Sequence, residues 1–241
     1  MHIDADEVTV WWIDQLETRV DEARLGARER VRADSMPYSP GRREFVVGAL
    51  LLRAAVARFS GRDAADVEID RSCPDCTRWH GRPRVVGRVD IEVSVTHSDG
   101  LIGVAVGGVG TRLGLDVERV ARVPDHPDAG LVGLTLDDAE LATLGGRSVS
   151  SRQFATYWVR KEAVLKATGE GLRRPLTSLR VTAPDLPPVL LRAPGDLTAR
   201  TTLVDLLGHE SSSVAALAAV VPAGARPSPK IVQGDGRTLL E

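Results

Sequence analysis

Two segments of this 241-residue chain carry side chains that could act together on a reacting group. In the segment from Trp158 to Gly169, helical spacing places Trp158, Glu162 and Lys166 on one face at steps of four residues. An acid and an amine on one face can move a proton or bind a phosphate. A Glu–Lys pair at this spacing is also an ordinary helix stabiliser. The residue types alone leave both interpretations open.

The second segment is strand-like and contains two acids. In Gly114-Leu115-Asp116-Val117-Glu118, alternation places Asp116 and Glu118 on the same face of the strand. Two neighbouring carboxylates repel unless a cation lies between them, and Mg2+ is commonly held by one or two carboxylates with waters and substrate phosphates. An amphipathic strand with its acids in water is the commoner explanation. The pattern taken alone does not decide between a metal site and a solvated strand edge.

The basic residues are unevenly chosen and unevenly placed. Only three of the 31 are lysines, and two of those, Lys161 and Lys166, lie in the helical segment. Where an arginine-rich chain has lysine instead, the compact ammonium indicates a nearby phosphate or a proton that is transferred. Although the net charge is -2, residues 28–58 hold seven arginines against three acids, and residues 71–88 hold five against one. These segments predict an anionic ligand. An aromatic content of 4% offers few platforms for stacking bases, which argues against a nucleic-acid partner.

Cys73, Cys76 and His80 have residue types and spacing that zinc accepts. A structural zinc site needs four ligands, and no fourth is evident nearby. Because a fourth ligand is missing, a turn that positions Gly81-Arg82-Pro83 is favoured, and a zinc site is the alternative.

These segments together resemble the phosphopantetheinyl transferases of the surfactin-synthetase-activating type. The pattern W-x-x-K-E-A-x-x-K-x-x-G runs from Trp158 to Gly169, and G-L-D-V-E precedes it by about forty residues. Three further blocks lie upstream of both patterns, in the order that the family has them. They are Arg42 and Arg53 flanking a helix, Gly81-Arg82-Pro83, and Val95-Thr96-His97-Ser98. The resemblance covers most of residues 8–221.

The resemblance implies an activity and a fold. The activity is transfer of the 4'-phosphopantetheine arm of coenzyme A to a serine of an acyl or peptidyl carrier protein, with release of adenosine 3',5'-bisphosphate. The fold is α+β, a pseudo-dimer of two similar α+β lobes within one chain, with coenzyme A bound in the cleft between them. A chain that supplies both lobes is expected to be a monomer.

The resemblance also implies roles for particular residues. Asp116, Glu118 and Glu162 are expected to hold Mg2+, with a further acid from the helix after the linker, for which Glu140 is favoured over Asp138. Glu162 is expected to take the serine proton, and Lys166 to stabilise or protonate the leaving phosphate. The residues expected to bind coenzyme A are Arg42, Arg53, Arg82, Thr96, His97, Lys161 and Lys166. Guanidinium forks bind phosphate oxygens in pairs, which independently favours the three arginines.

Hydrophobic periodicity predicts the elements that must position these residues. Helices are predicted over Leu16–Ala33, Arg42–Phe59 and Ser150–Thr168, and a short one opens at Thr135 with Asp138 completing its cap. Residues 71–88 are predicted to be irregular. Strands are predicted over Val8–Ile13, Val67–Ile69, Ile91–Thr96, Leu101–Val106, Arg112–Val120, Leu179–Val181, Val189–Leu191, Thr202–Leu206 and Ser213–Val221. The turn Ser98-Asp99-Gly100 predicts a hairpin, and a meander is the simplest order for the strands around it.

These elements predict an N-terminal lobe over residues 1–120, a C-terminal lobe over 121–222, and a poorly anchored tail over 223–241. The longest apolar runs cover eight residues each, well short of the roughly 20 that span a bilayer. Asp4, Asp6 and Glu7 are unlike the basic start of a secretory signal, so a cytoplasmic location is expected.

Two other functions are compatible with the same residues. A metal-dependent phosphohydrolase would use the same acids with water in place of the carrier serine. A non-catalytic zinc-binding interaction module would be built around Cys73, Cys76 and His80. The sequence does not identify the carrier protein, whether from fatty acid, polyketide or nonribosomal peptide synthesis.

Overall fold

The computed structural model describes residues 7–73, 75–108, 110–145, 147–206, 212–225 and 229–241. The acids at positions 4 and 6 and Pro74 of the cysteine motif lie outside the described residues. The described chain is α+β, as predicted, and contains seven α-helices and eleven strands. It divides into two compact units. Unit 1 is Met1–Val109 together with Lys230–Glu241, and unit 2 is Gly110–Pro229.

Unit 1 is built on one long helix packed against a four-stranded sheet. The sheet order is β11-β1-β5-β4, with β1 and β11 parallel and the other neighbours antiparallel. A separate hairpin is formed by β2 and β3. The elements of unit 1 are β1 (Glu7–Asp14), α1 (Ala27–Asp34), α2 (Pro40–Ser60), β2 (Ile69–Ser72), β3 (Trp79–Val85), β4 (Glu92–Ser98), β5 (Leu101–Gly107), β11 (Lys230–Asp235) and α7 (Arg237–Leu240).

Helix α2 matches its prediction because its signals are local. The Ser39 hydroxyl caps the first turn by accepting from the Arg42 amide, Pro40 occupies the first position, and Gly61 ends the helix in the left-handed conformation. Leu51 and Leu52 are fully buried in the core of unit 1. The predicted hairpin is also confirmed, since β4 pairs with β5 through a turn in which Asp99 and Gly100 have φ values of 46° and 86°.

Unit 2 repeats the plan of a long helix on a small sheet. Helix α5 packs on β6 and β10 of a three-stranded antiparallel sheet with the order β6-β10-β9. Ser150 caps the start of α5, and Gly169 ends it at φ 75°. The elements of unit 2 are β6 (Arg112–Arg119), α3 (Ala129–Thr135), α4 (Asp138–Thr143), α5 (Ser151–Thr168), β7 (Arg180–Val181), β8 (Leu190–Arg192), α6 (Leu197–Arg200), β9 (Thr201–Leu206) and β10 (Ser213–Val220).

The predictions for the start of each unit need correction. A single helix over residues 16–33 was predicted, but only a 3-10 turn at Glu22–Arg24 and helix α1 form there, with Gly26 in extended conformation between them. The segment expected to be irregular contains β3. The predicted meander is wrong, because β6 pairs with β10 rather than with the β4–β5 hairpin. The cap before α4 is Asp137, whose carboxylate accepts from the Glu140 amide, and not Thr135.

The lobe boundaries also differ from the prediction. Because β6 belongs to the second sheet, the division falls between residues 109 and 110 rather than at 120. The C-terminal segment is not loose: β11 pairs in parallel with β1, and Leu240 of α7 is buried in the core of unit 1. Long-range pairing of this kind leaves no local signal. Within the part of the chain that the structure describes, no helix is long and apolar enough to cross a membrane.

Candidate active site

The acids and the lysine predicted to do chemistry meet where α5 lies on β6 in unit 2. Gly114 allows this approach, because a Cβ at that position would overlap the carbonyl oxygen of Ala163 on the helix. Lys166 Nζ, on the same face of α5 as Glu162, donates to Asp116 Oδ1 at 2.5 Å and to the Leu115 carbonyl oxygen at 3.0 Å. The helix face and the strand face therefore form one acid–base cluster.

Glu162 is the unusual member of this cluster. Its side chain is buried, and its Oε1 atom has no hydrogen-bond partner among the described residues. The pKa of Glu162 is raised to about 7, first by burial and then by the charge of Asp116, while Lys166 opposes the change. A carboxyl with a pKa near 7 exchanges its proton readily at neutral pH, which suits a general base or acid.

Glu118 extends the cluster along β6. It is half-buried two residues from Asp116, and the β10 residues opposite these acids are Val214 and Ala216, which supply no cation. Its charge also raises the pKa of Glu162. Asp116 and Glu118 disfavour the charge of Glu162, which also has a buried oxygen without a hydrogen-bond partner among the described residues. Neighbouring carboxylates of this kind are a donor set suited to Mg2+. The carboxylate oxygens of Asp116, Glu118 and Glu162 do not all lie within 4.8 Å of one another. Among the described residues, the only group of three potential ligands that does so is Cys73, Cys76 and His80.

Glu140 does not join these acids, which corrects its predicted role as a metal ligand. Its carboxylate is 1% exposed and accepts from Lys161 Nζ at 2.5 Å, from the Asp137 amide at 2.8 Å and from the Val181 amide at 2.9 Å. It is committed to a capping box and a buried ion pair. Asp138, the other candidate, is exposed on α4.

Lys161 is likewise a structural residue rather than a ligand-binding one. Its side chain is fully buried and donates to Glu140 and, at 2.6 Å, to the Thr135 carbonyl oxygen. Burial lowers the pKa of Lys161, although the neighbouring Glu140 opposes this. Lys161 therefore holds α5 to the preceding segment, and Lys166 alone of the two reaches the acid cluster.

Unit 1 contains a cavity of about 320 Å³ with a cationic lining. Arg32, Arg71, His80 and His97 contribute to its wall. The half-buried Arg71 guanidinium has no hydrogen bond or close ion pair with any described residue. Burial lowers its pKa, and the charge of Glu29 opposes this change. An unpaired, partly desolvated guanidinium is costly unless an anion binds it. Sequence reasoning missed Arg71, and only its place in the second arginine-rich segment hinted at this role.

His97 has the accessibility that its predicted role requires. Its side chain is 60% exposed, and Nδ1 lies 3.3 Å from Glu44 Oε2. The other oxygen of Glu44 accepts from the Gly100 amide at 2.6 Å, which fixes the carboxylate beside the ring. Thr96 points the opposite way along β4 and is 3% exposed, so its side chain is not available to a ligand.

The three predicted arginines are engaged within the protein and do not line the cavity. Arg42 forms a two-point ion pair with Glu22, with both distances 2.7 Å. Arg53 is buried and donates to the carbonyl oxygens of Ala64 and Ala65. Arg82, still partly accessible, pairs with Glu92 at 2.5 Å. Arg53 is thereby corrected to a fold-stabilising residue.

Comparisons with known proteins point to one family. Residues 112–218 match the family described as ACPS, the 4'-phosphopantetheinyl transferase superfamily. Over 177 residues the chain is 27% identical to 4'-phosphopantetheinyl transferase HetI of Nostoc sp. strain PCC 7120, covering 70% of this chain and 72% of that protein.

Solved structures show a more distant likeness. The holo-[acyl-carrier-protein] synthase of Thermotoga maritima aligns with a TM-score of 0.38 at 23% identity, over 47% of this chain and 63% of that one. The Bacillus anthracis holo-(acyl-carrier-protein) synthase, solved in complex with CoA (3',5'-ADP), gives 0.37 at 20% identity, over 48% and 97%.

Proposed function

We propose that this chain belongs to the 4'-phosphopantetheinyl transferase superfamily, which its residues 112–218 match, and that it modifies carrier proteins. It transfers the 4'-phosphopantetheine arm of coenzyme A to a serine of an acyl or peptidyl carrier protein. The observation that carries the proposal is the buried Glu162, with a pKa of about 7, beside the Lys166–Asp116 ion pair. Such a cluster can accept a proton and meet a developing negative charge at one place.

The reaction uses Glu162 and Lys166 in opposite roles. The serine oxygen attacks the β-phosphorus of the coenzyme A pyrophosphate, and a phosphorus–oxygen bond to the phosphopantetheine arm forms. Glu162 accepts the serine proton. The bond to the bridging oxygen breaks, and its electron pair leaves on adenosine 3',5'-bisphosphate. Lys166 donates to that oxygen, where its stabilisation grows as charge develops.

Mg2+ belongs to the same proposal, with Asp116, Glu118 and Glu162 as its ligands. The orphan oxygen of Glu162 and the mutual repulsion of these acids support this assignment. A bound divalent ion neutralises charge on a pyrophosphate and orients it for attack. Asp116 meanwhile fixes the Lys166 ammonium beside the strand.

The cationic cavity of unit 1 is proposed to bind phosphate groups at the nucleotide end of coenzyme A. Arg71 supplies an unpaired guanidinium, and Arg32, whose guanidinium lies 5.7 Å from the Phe45 ring centre, adds a second positive charge. His97 supplies a donor that is anchored by Glu44. A phosphate offsets the repulsion between the two arginines, which itself lowers the pKa of Arg71.

The proposal also includes a subtype, an oligomeric state and a cellular location. The surfactin-synthetase-activating subtype is favoured by the order of the sequence blocks and by two units in one chain, each built on a long helix. A monomeric state and a cytoplasmic location are part of the same proposal. Light scattering on the purified protein tests the first, and fractionation of the source cells tests the second.

Mass spectrometry of a carrier protein tests the activity directly. The carrier is incubated with the protein, coenzyme A and Mg2+, and its mass should increase by one phosphopantetheine group. Consumption of coenzyme A without carrier modification would instead indicate a phosphohydrolase. Neither change, with several carrier proteins tried, would exclude both enzymes. The Glu162→Gln variant is the matched control, since it keeps the shape of the side chain and removes its basic oxygen.

A further inference from the structure

The loop that joins β2 to β3 brings three metal-ligand side chains into one group. The ligand atoms of Cys73, Cys76 and His80 all lie within 4.8 Å of one another, and Cys76 Sγ lies 3.1 Å from His80 Nε2. No other group of three or more His, Cys, Asp or Glu residues in the described chain meets this distance. The proposed proton transfer and metal binding in unit 2 use none of these residues, and only His80 also contributes to the wall of the unit 1 cavity.

The hairpin holds this group in place from both sides. Ser72 of β2 pairs with Trp79 of β3, and the Cys73 amide donates to the Arg78 carbonyl oxygen at 3.2 Å, which closes the loop. Gly81 lets the two strands approach closely, since a Cβ there would lie 2.5 Å from the Ser72 carbonyl oxygen. His80, the residue before Gly81, thereby lies at the loop end of the hairpin, beside Cys76.

We infer that Cys73, Cys76 and His80 bind one Zn2+ ion, with water as the fourth ligand. Two thiolates and a neutral imidazole balance the charge of the ion and match its preference for sulfur and nitrogen donors. Cys76 and His80 are exposed, so solvent reaches the fourth position. The sequence argument against zinc rested on the missing fourth protein ligand. An open site of three protein ligands and one water removes that objection.

A Cys73–Cys76 disulfide is the competing use of this loop. Both cysteines are free thiols in the structure. A disulfide gives no role to His80, whereas its Nε2 atom lies within hydrogen-bonding distance of the Cys76 sulfur. The placement of the His80 ring beside the Cys76 sulfur therefore favours a shared metal ion over a disulfide.

The ion would join the two strands of the hairpin at the end that carries the loop. Cys73 directly follows β2, which contains Arg71, and His80 belongs to β3. Binding to the folded but not the unfolded chain stabilises the fold in proportion to the logarithm of the metal concentration. This role does not involve the acid–base cluster of unit 2.

Cobalt substitution tests the site. The untagged full chain, reduced and stripped of metal under argon, is titrated with Co2+ and then with Zn2+. One equivalent of Co2+ should produce a thiolate-to-cobalt charge-transfer band in the near ultraviolet, and one equivalent of Zn2+ should remove it. Cobalt bound to the carboxylates of unit 2 gives no such band, so the two sites are distinguished.

Variants identify the ligands. Cys76→Ser and Cys73→Ser should each weaken or abolish the band, and His80→Ala should weaken cobalt affinity by roughly tenfold or more. His126→Ala, which removes an exposed histidine of unit 2, should leave it unchanged. Circular dichroism checks that each variant is folded.

The inference is overturned if the reduced wild-type protein shows no charge-transfer band at equimolar micromolar metal. It is also overturned if the band survives in both cysteine variants. A mass two hydrogens lower after aerobic purification, with no zinc found by elemental analysis of protein purified under argon, would establish the disulfide instead.

Discussion

Lys166 Nζ lies 2.5 Å from Asp116 Oδ1, while Glu162, one turn earlier on the same helix, is left without a hydrogen-bond partner for its Oε1 atom among the described residues. The Lys166 ammonium thus neutralises Asp116 on the strand, while Glu162 on the helix is left to titrate near neutral pH. The pair is also asymmetric in exposure, since the lysine side chain is 30% exposed and the aspartate 8%. The lysine is therefore accessible to a substrate, and the acid that holds it is not.

The raised pKa of Glu162 makes the stability of the metal-free protein depend on pH. Between pH 4.5, the ordinary pKa of a glutamate, and about pH 7, the folded protein binds a proton that the unfolded chain has released. The Glu162 contribution to the free energy of unfolding therefore falls as pH rises through this range. The loss amounts to about 3 kcal/mol at most. Glu162→Gln should therefore raise the melting temperature at pH 8 and change it little at pH 4.5.

Thermal melts in the presence of a chelator measure this difference, with Glu68→Gln as the control because Glu68 is exposed. Equal shifts at the two pH values would show that Glu162 is not an abnormal carboxyl.

Loss of either carboxylate should stop phosphopantetheine transfer while the protein stays folded. Asp116→Asn removes the counter-ion of Lys166, and Glu162→Gln removes the proposed base, so each should lower kcat by roughly a hundredfold or more. Initial rates of carrier modification at saturating Mg2+ measure the effect. Near-normal turnover in either variant would refute its role, provided that Glu68→Gln also retains full activity.

Lys166→Ala should lower kcat far more than it weakens coenzyme A binding, because the proposed interaction strengthens as the leaving phosphate gains charge. Lys166→Arg should restore only part of the activity. A planar guanidinium does not reproduce a compact ammonium held between Asp116 and the Leu115 carbonyl oxygen. Calorimetry supplies the affinity and single-turnover assays supply the rate. A fully active alanine variant would reduce Lys166 to an ordinary ion-pair partner.

The cationic cavity should recognise a phosphate through Arg71. Coenzyme A should bind more tightly than dephospho-coenzyme A, and Arg71→Gln should remove most of that difference by leaving the cavity without its unpaired cation. Titration calorimetry compares the two ligands. Arg84→Gln, an exposed arginine on the adjacent strand β3, is the matched control. If Arg82→Gln removes the difference and Arg71→Gln does not, the original sequence assignment is the better one.

The buried Lys161–Glu140 pair should matter for folding rather than for ligand binding. Lys161→Met leaves a buried carboxylate without its cation and should cost about 3–5 kcal/mol of unfolding free energy. The double variant Lys161→Met/Glu140→Leu should recover part of this loss. Urea denaturation measures stability, and coenzyme A affinity is measured on the folded fraction. A large loss of affinity in the folded Lys161→Met protein would restore its predicted place in the ligand site.

The sequence by itself determined the elements whose signals are local. Helices α2 and α5 could be predicted because Ser39 and Ser150 cap their starts and Gly61 and Gly169 end them. The β4–β5 hairpin followed from its two-residue turn. The face shared by Glu162 and Lys166, and the face shared by Asp116 and Glu118, followed from the periods of a helix and a strand. The acid–base cluster was therefore visible in the sequence once two elements were assumed to meet.

Only the tertiary structure decided which partners these elements take. The pairing of β6 with β10, and of β11 with β1, joins residues far apart in sequence, and such contacts depend on packing rather than on neighbouring residue types. The same is true of the two lysines in α5. The two side chains leave the helix in different directions and meet different neighbours. Lys161 is buried against Glu140, whereas Lys166 reaches Asp116. The lack of a close ion pair at Arg71 is likewise decided by its place in the cavity. Another arginine of unit 1, Arg42, pairs with Glu22 within the fold.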